Sequence, residues 1–243
     1  MEIIKLNATD STNSFLKDLS QNSTLKNYTI VITDHQEKGR GQLESSWIST
    51  PYKNLTFSVF VAFDDLKIVK KRYLNFAISL AIYDVLIAKK IKRVSIKWPN
   101  DILSANKKIC GILVENNFRG TNIKNTIIGI GLNVNQEIFP EFLNNATSLK
   151  LETDLASNLD DLLKVILKSL QKNISLLAAK EYTFLEQRYL EVLYKKNIPS
   201  MFKNTRDEIF MGIIIGISKD GKLQIQLEND SIKEFGVKEV SFL

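Results

Sequence analysis

The chain has 243 residues, 44% of them hydrophobic, with 33 basic against 27 acidic side chains for a formal charge of +6. That is enough apolar material for a sizeable core, and the length predicts one large domain with a small one. The lone Cys110 excludes an internal disulfide framework, and the lone His35 excludes a Cys/His metal cluster or a histidine-paired ligand helix.

No run approaches the ~20 apolar residues that span a bilayer, and Met1 leads straight into Glu2-Ile3-Ile4-Lys5-Leu6 without a leader's basic and apolar regions. The expectation is a soluble, reduced, cytoplasmic protein with no membrane partner. The positive charge raises nucleic acid as a partner. However, the densest cluster, Lys89-Lys90-Ile91-Lys92-Arg93, falls where a helix should end, and a helix dipole favours cations there in any case. A second use for the cluster is steering an acidic protein partner toward the neighbouring strand tip.

In chain order, a strand at 2 to 6 is followed by Asp10-Ser11-Thr12-Asn13, capping residues ahead of Phe15, Leu16 and Leu19 at helical spacing. A strand at 28 to 33 precedes a loop over 34 to 50 that contains Gly39-Arg40-Gly41 and no sustained apolar period, a length that points to function or disorder. Asn54 to Phe63 alternates as a strand, and Leu74, Ala77, Ala81 and Val85 form one stripe of a helix over 67 to 90. Strands follow at 94 to 97, 108 to 116 and 123 to 132. Residues 155 to 194 return to helical spacing in two helices, the second running through Tyr189 and Leu193. From Asn197 the pattern changes to strands at 211 to 217, 222 to 227 and 232 to 242, with a turn at Lys219-Asp220-Gly221. The boundary near 195 is a change of pattern without a low-complexity linker.

Several of these elements end in glycine and polar residues: Ser11-Thr12-Asn13, Gln36 to Trp47, Lys97-Trp98-Pro99-Asn100-Asp101, Lys108 to Gly111, and Gly129-Ile130-Gly131-Leu132-Asn133. Pro99 cannot donate to a sheet ladder, so the strand through Val94-Ser95-Ile96 should end there with its polar residues exposed. One such break is ordinary turn chemistry. Several on one sheet suggest a ligand surface.

These motifs carry a resemblance. "KWPNDIL", followed by "KKICGILVEN" and preceded by "DSTN" and by the glycine-rich loop ending in Trp47, is similar to the biotin protein ligases, in a short form without an N-terminal DNA-binding domain. The likeness runs over nearly the whole chain, with "IIGIGLNVN" closing the central domain. It implies an α+β fold: residues 1 to 195 form a central mixed sheet with helices, like class II aminoacyl-tRNA synthetases, and residues 196 to 243 form a small SH3-like β-barrel. It also implies ATP-dependent conversion of biotin to biotinyl-5'-AMP and transfer to a lysine of a biotin carboxyl carrier protein. ATP and Mg2+ are the implied cofactors, and a monomer or homodimer the implied state. The motif begins within about ten residues of Met1, leaving no room for a winged-helix module, so DNA is not an expected partner. The runner-up on the same fold is a lipoyl or octanoyl transferase.

The site residues follow from the resemblance and from charge. Two anions meet when a carboxylate attacks a phosphate, so fixed cations are needed where charge accumulates. Lys108 and Arg40 are the candidates, with Asp101 as the third catalytic residue; Lys107 is the ordinary solvated lysine beside Lys108. The resemblance assigns Ser11, Thr12, Asn13, Gln36, Gly39, Arg40, Lys108, Gly111 and Leu113 to biotin. It assigns Arg40, Gln42, Trp47, Lys97, Asn100, Asp101 and Asn133 to ATP or the adenylate; no metal ligands are assigned. Trp47 is suited either to stack on adenine or to anchor the loop to the sheet. Relatives often carry Gly-Arg-Gly-Arg where this chain reads Gly39-Arg40-Gly41-Gln42, which implies a weaker hold on the adenylate. Cys110 is expected to be a buried strand thiol and His35 a surface or loop-packing residue.

Overall fold

The computed structural model describes residues 1–43 and 45–243. Its main layer is a seven-stranded sheet ordered β1-β2-β3-β7-β6-β5-β4. The strands are β1 (Glu2–Thr9), β2 (Thr29–Gln36), β3 (Leu55–Lys67), β4 (Val94–Lys97), β5 (Asp101–Ser104), β6 (Lys107–Arg119) and β7 (Asn122–Leu132). β1 and β2 run parallel and the remaining pairs antiparallel, so the sheet is mixed.

Two-residue alternation gives the sheet two different faces. On one, Phe57, Val59, Cys110, Ile112, Ile128 and Ile130 are buried in the main core, which includes the apolar sides of α2 (Lys71–Ala88) and α4 (Leu159–Ala178). α5 (Tyr182–Glu191) seals this layer, with Tyr189 stacked on Phe76 at 4.1 Å between ring centroids. The other face divides. Beneath α1 (Thr12–Asn22), Val31, Phe60 and Ile127 pack on Leu16 as a second, small core. Beyond the helix the same face carries Thr56, Ser58, Gly129, Gly131 and Gly111, where register pairs Gly111 with Gly131, Gly131 with Thr56 and Gly129 with Ser58. Small residues on adjacent strands leave a trough in the sheet.

A five-stranded antiparallel sheet ordered β11-β10-β9-β8-β12 closes the chain. Its strands are β8 (Pro199–Asn204), β9 (Ile209–Ile217), β10 (Leu223–Leu227), β11 (Ile232–Phe235) and β12 (Val240–Phe242). Its interior residues Phe202, Ile214, Leu223, Ile225 and Phe235 join the same core as the main sheet. Two polar contacts fix the seam: Trp98 Nε1 donates to Gly221 O at 3.0 Å and Arg72 Nη1 to Ser218 O at 2.7 Å.

The expected strand over 232 to 242 is two strands on opposite edges of the small sheet. The chain turns between them because the Glu239 carboxylate accepts from the Gly236 N–H at 2.6 Å. β5, β8 and a short helix α3 (Leu149–Thr153) have no counterpart among the sequence expectations. Among the described residues no helix is long and apolar enough to cross a membrane.

Candidate active site

The trough is roofed into a cavity of about 450 Å³ by the loop after β2 and by the small sheet. Its lining includes Ser11, Thr12, Asn13, Gln36, Arg40, Gln42, Trp47, Lys97, Asn100, Asp101, Lys108, Gly111 and Leu113. Segments far apart in sequence therefore converge because each ends or thins over one part of the sheet.

The lysine end depends on a β-bulge. Across β5 and β6, Asp101 faces Gly111 and Ile102 faces Cys110, but Leu103 faces Lys108, so Ile109 is the extra residue. Both Ile109 and Cys110 enter the core, and the parity change sends Lys108 to the cavity side with Gly111. Lys108 Nζ lies 2.6 Å from Asp101 Oδ1 and 5.7 Å from the centre of the Trp47 ring. A Cβ on Gly111 would meet Lys108 Nζ at 3.3 Å, so the missing side chain is what lets the ammonium cross the strand. Lys107 sits outside the cavity.

The tip before Lys108 is held by its own backbone. Asn100 Nδ2 donates to Ile112 O at 2.5 Å, while Asn100 O accepts from Ile112 N–H at 3.0 Å. The "KWPNDIL" stretch is thus a strand, a turn containing a cis Trp98-Pro99 bond, and a second strand. Lys97 stands 5.3 Å from the Phe242 ring centre; burial, with help from the neighbouring ammonium groups of Lys108 and Lys195, pushes its pKa below the ordinary lysine value despite Asp101. Such a lysine destabilises the fold in its charged form.

The opposite end is short and polar. Ser11 caps α1 through a bond from Ser14 N–H, and Thr12 donates to Gln36 Oε1 from both its backbone N–H, at 2.8 Å, and its hydroxyl, at 3.1 Å. Ser58 Oγ lies 2.8 Å from Thr12 Oγ1 and 2.5 Å from Asn13 Oδ1. Asn13 Nδ2 donates to Glu115 Oε2 at 2.8 Å, which in turn accepts from Arg40 Nη2 at 3.0 Å.

Trp47 lies on the sheet. A Cβ on Gly131 would meet its indole at 2.2 Å, and its buried Nε1 has no hydrogen-bond partner among the described residues. Of the two sequence readings, anchoring to the sheet is the geometry present. Gly39 forms the base of the loop, accepting from Trp47 N–H at 2.8 Å, and lines a neighbouring hollow. Asn133 is not on the cavity wall: its Nδ2 donates to Thr147 O at 3.0 Å and its backbone N–H to Ile109 O at 2.9 Å, so it fastens the segment after β7.

Several lining or supporting residues escaped the sequence reading. Val237, Lys238 and Phe242 reach the cavity from the small sheet, and Lys238 Nζ donates to Leu43 O on the loop. Only tertiary docking brings them there. Ser58 and Glu115 had a readable signal, a polar residue in phase with the glycines on the same face.

Cys110 is fully buried and burial pushes its thiol pKa far up, so it is not a nucleophile. Cys110→Ala is expected to keep the fold and the chemistry of the cavity; a folded variant without that chemistry would refute this. Among the described residues no three His, Cys, Asp or Glu side chains cluster as a metal site.

The model of the biotin/lipoate A/B protein ligase family matches residues 6–133, and that of the biotin protein ligase C-terminal domain matches residues 204–243. The chain belongs to the biotin/lipoate A/B protein ligase family. It is 33% identical to the biotin--[acetyl-CoA-carboxylase] ligase of Mycobacterium tuberculosis, over 58% of this chain and 52% of that one. It is 29% identical to the Escherichia coli bifunctional ligase/repressor BirA, over 92% of this chain and 68% of that one. The biotin protein ligase of Aquifex aeolicus, solved with biotin and ATP, superposes with a TM-score of 0.80 at 27% identity, covering 100% of this chain and 98% of the other.

Proposed function

We propose that the protein is a biotin protein ligase: it activates biotin with ATP and transfers it to a lysine of a biotin carboxyl carrier domain. The observation that carries this is one cavity with a fixed ammonium, Lys108, at one end and a cluster of short polar side chains, Ser11, Thr12 and Gln36, at the other. A neutral polar ring matches the second end and a carboxylate the first.

In the first step a biotin carboxylate oxygen attacks the α-phosphorus of ATP, the bond to the bridging oxygen breaks, and pyrophosphate leaves. Lys108 and Arg40 offset the negative charge gathered at the attacked phosphate. Asn100 and Lys97 hold phosphate or ribose oxygens beside it. In the second step the carrier amine attacks the acyl carbon, AMP departs, and the amine loses a proton. Asp101 orients that amine, and Trp47, packed on Gly131 beside Lys108, walls the adenylate.

Mg2+ fits this donor set as a partner of the ATP phosphates. It would take phosphate oxygens and waters with one or two carboxylates, and among the described residues Asp101 is the carboxylate on the cavity wall that would hold it. When bound it supplies positive charge to the phosphates. The division into a catalytic domain over 1 to 195 and an SH3-like domain over 196 to 243 is supported by the start of the second sheet at Pro199. A reducing, cytoplasmic setting suits the free, buried Cys110.

Exchange of labelled pyrophosphate into ATP tests the reading: it should require biotin, and exchange with lipoate in place of biotin would overturn the substrate. Gln42 adds a quantitative expectation. Among the described residues its buried Oε1 has no partner beside the cavity, where a guanidinium would offer charged donors, each contributing about 1.5 to 3 kcal/mol. Gln42→Arg should therefore release biotinyl-adenylate more slowly than wild type in a trapping assay. Equal or faster release rejects it.

A further inference from the structure

We propose that Glu115 is the positioning residue that couples the polar end of the cavity to the Arg40 loop. The inference rests on the ligase reading and names a residue that reading does not use. Glu115 stands on β6 in phase with Gly111 and Leu113, facing the trough. A single oxygen, Oε2, accepts from Asn13 Nδ2 at 2.8 Å and from Arg40 Nη2 at 3.0 Å.

The two donors differ in freedom. Asn13 is 3% exposed and fixed at its other end by Ser58 Oγ at 2.5 Å, with its amide lying over Gly129. Arg40, by contrast, rises from the loop with 43% of its side chain exposed, against 26% for Glu115. The carboxylate is therefore held from the buried side and holds the exposed side. A guanidinium has five N–H donors in a planar fork. Glu115 takes one through Nη2, which sets the plane of the fork while leaving other donors for an anion in the cavity that Arg40 lines. Occupancy of the Ser11–Gln36 end that tightens Asn13 thereby aligns Arg40 for the phosphate. The pair is too exposed for its removal to matter greatly to stability, so its value lies in orientation.

The test is pyrophosphate exchange by wild type, Glu115→Ala, Glu115→Gln, Glu115→Asp, Arg40→Ala and the Arg40→Ala/Glu115→Ala double variant, with biotin and with lipoate. Glu115→Ala is expected to lower kcat about 10- to 100-fold, the scale of a misplaced catalytic group. In the Arg40→Ala background the same change should cost less than about twofold, since its effect runs through Arg40. Glu115→Gln, which keeps an acceptor for Asn13 but loses the ion pair, should lose rate while binding biotin normally; Glu115→Asp should recover part of the rate. Equal fractional losses in both backgrounds, or a wild-type rate in Glu115→Ala, would overturn the coupling. If wild type exchanges with lipoate but not biotin, the substrate reading falls and the lipoate rates decide the coupling. Exchange with neither overturns both.

Discussion

Lys108→Ala is expected to lower biotin-dependent pyrophosphate exchange about 100- to 1,000-fold, the loss that follows when one preorganised charge contact to the reacting group is removed. The bulge at Ile109 aims this ammonium across Gly111 into the cavity, and Asp101 holds it at 2.6 Å. The side chains are 38% and 24% exposed, so losing the pair should change stability by no more than about 1 kcal/mol. Lys107→Ala is the control, outside the cavity on the same strand, and should exchange as wild type does. A near-native rate in Lys108→Ala would remove this residue from the chemistry.

The second large effect concerns the other end of the trough. A Cβ on Gly129 would sit 2.2 Å from Asn13 Oδ1 and 2.9 Å from its Cγ. Asn13 cannot retreat without giving up Ser58 on one side or Glu115 on the other. Overpacking of this kind costs roughly 1 to 3 kcal/mol, so Gly129→Ala should weaken biotin binding about 10- to 100-fold in calorimetric titration. Gly216→Ala, whose Cβ would meet nothing closer than 3.4 Å, is the matched control. Unchanged affinity in Gly129→Ala would mean that the Asn13 end is not where biotin sits.

The sequence made the alternating strands and the amphipathic helices legible because their periods report directly on burial. The central strands now span Leu55–Lys67, Lys107–Arg119 and Asn122–Leu132, each somewhat longer than its apolar pattern. Polar strand ends are silent in such a pattern, which is why β5 was missed behind Asn100 and Asp101. β8 begins at Pro199 and turns Ser200 and Phe202 inward, so only one of its inward residues is large and apolar, too weak a signal beside the lysines around it. The motifs led to most of the cavity wall because chemistry confines them to particular residue types. They did not show that Lys108 reaches the cavity through a bulge, since a bulge shifts parity without marking the sequence. Nor did they show Lys238, whose position depends on how the small sheet docks. Asn133 is the converse: it belongs to the motif run, yet its side chain is spent on Thr147.

On the proposed mechanism this one cavity makes and holds an acyl-adenylate with no covalent link to the enzyme. Native mass spectrometry after incubation with biotin, ATP and Mg2+, repeated under denaturing conditions, tests it most directly. The expected result is a wild-type species carrying the mass of biotinyl-5'-AMP that disappears on denaturation and is missing from Lys108→Ala. A biotinyl mass that survives denaturation and maps to Cys110, or an equal adenylate signal from Lys108→Ala, would contradict it.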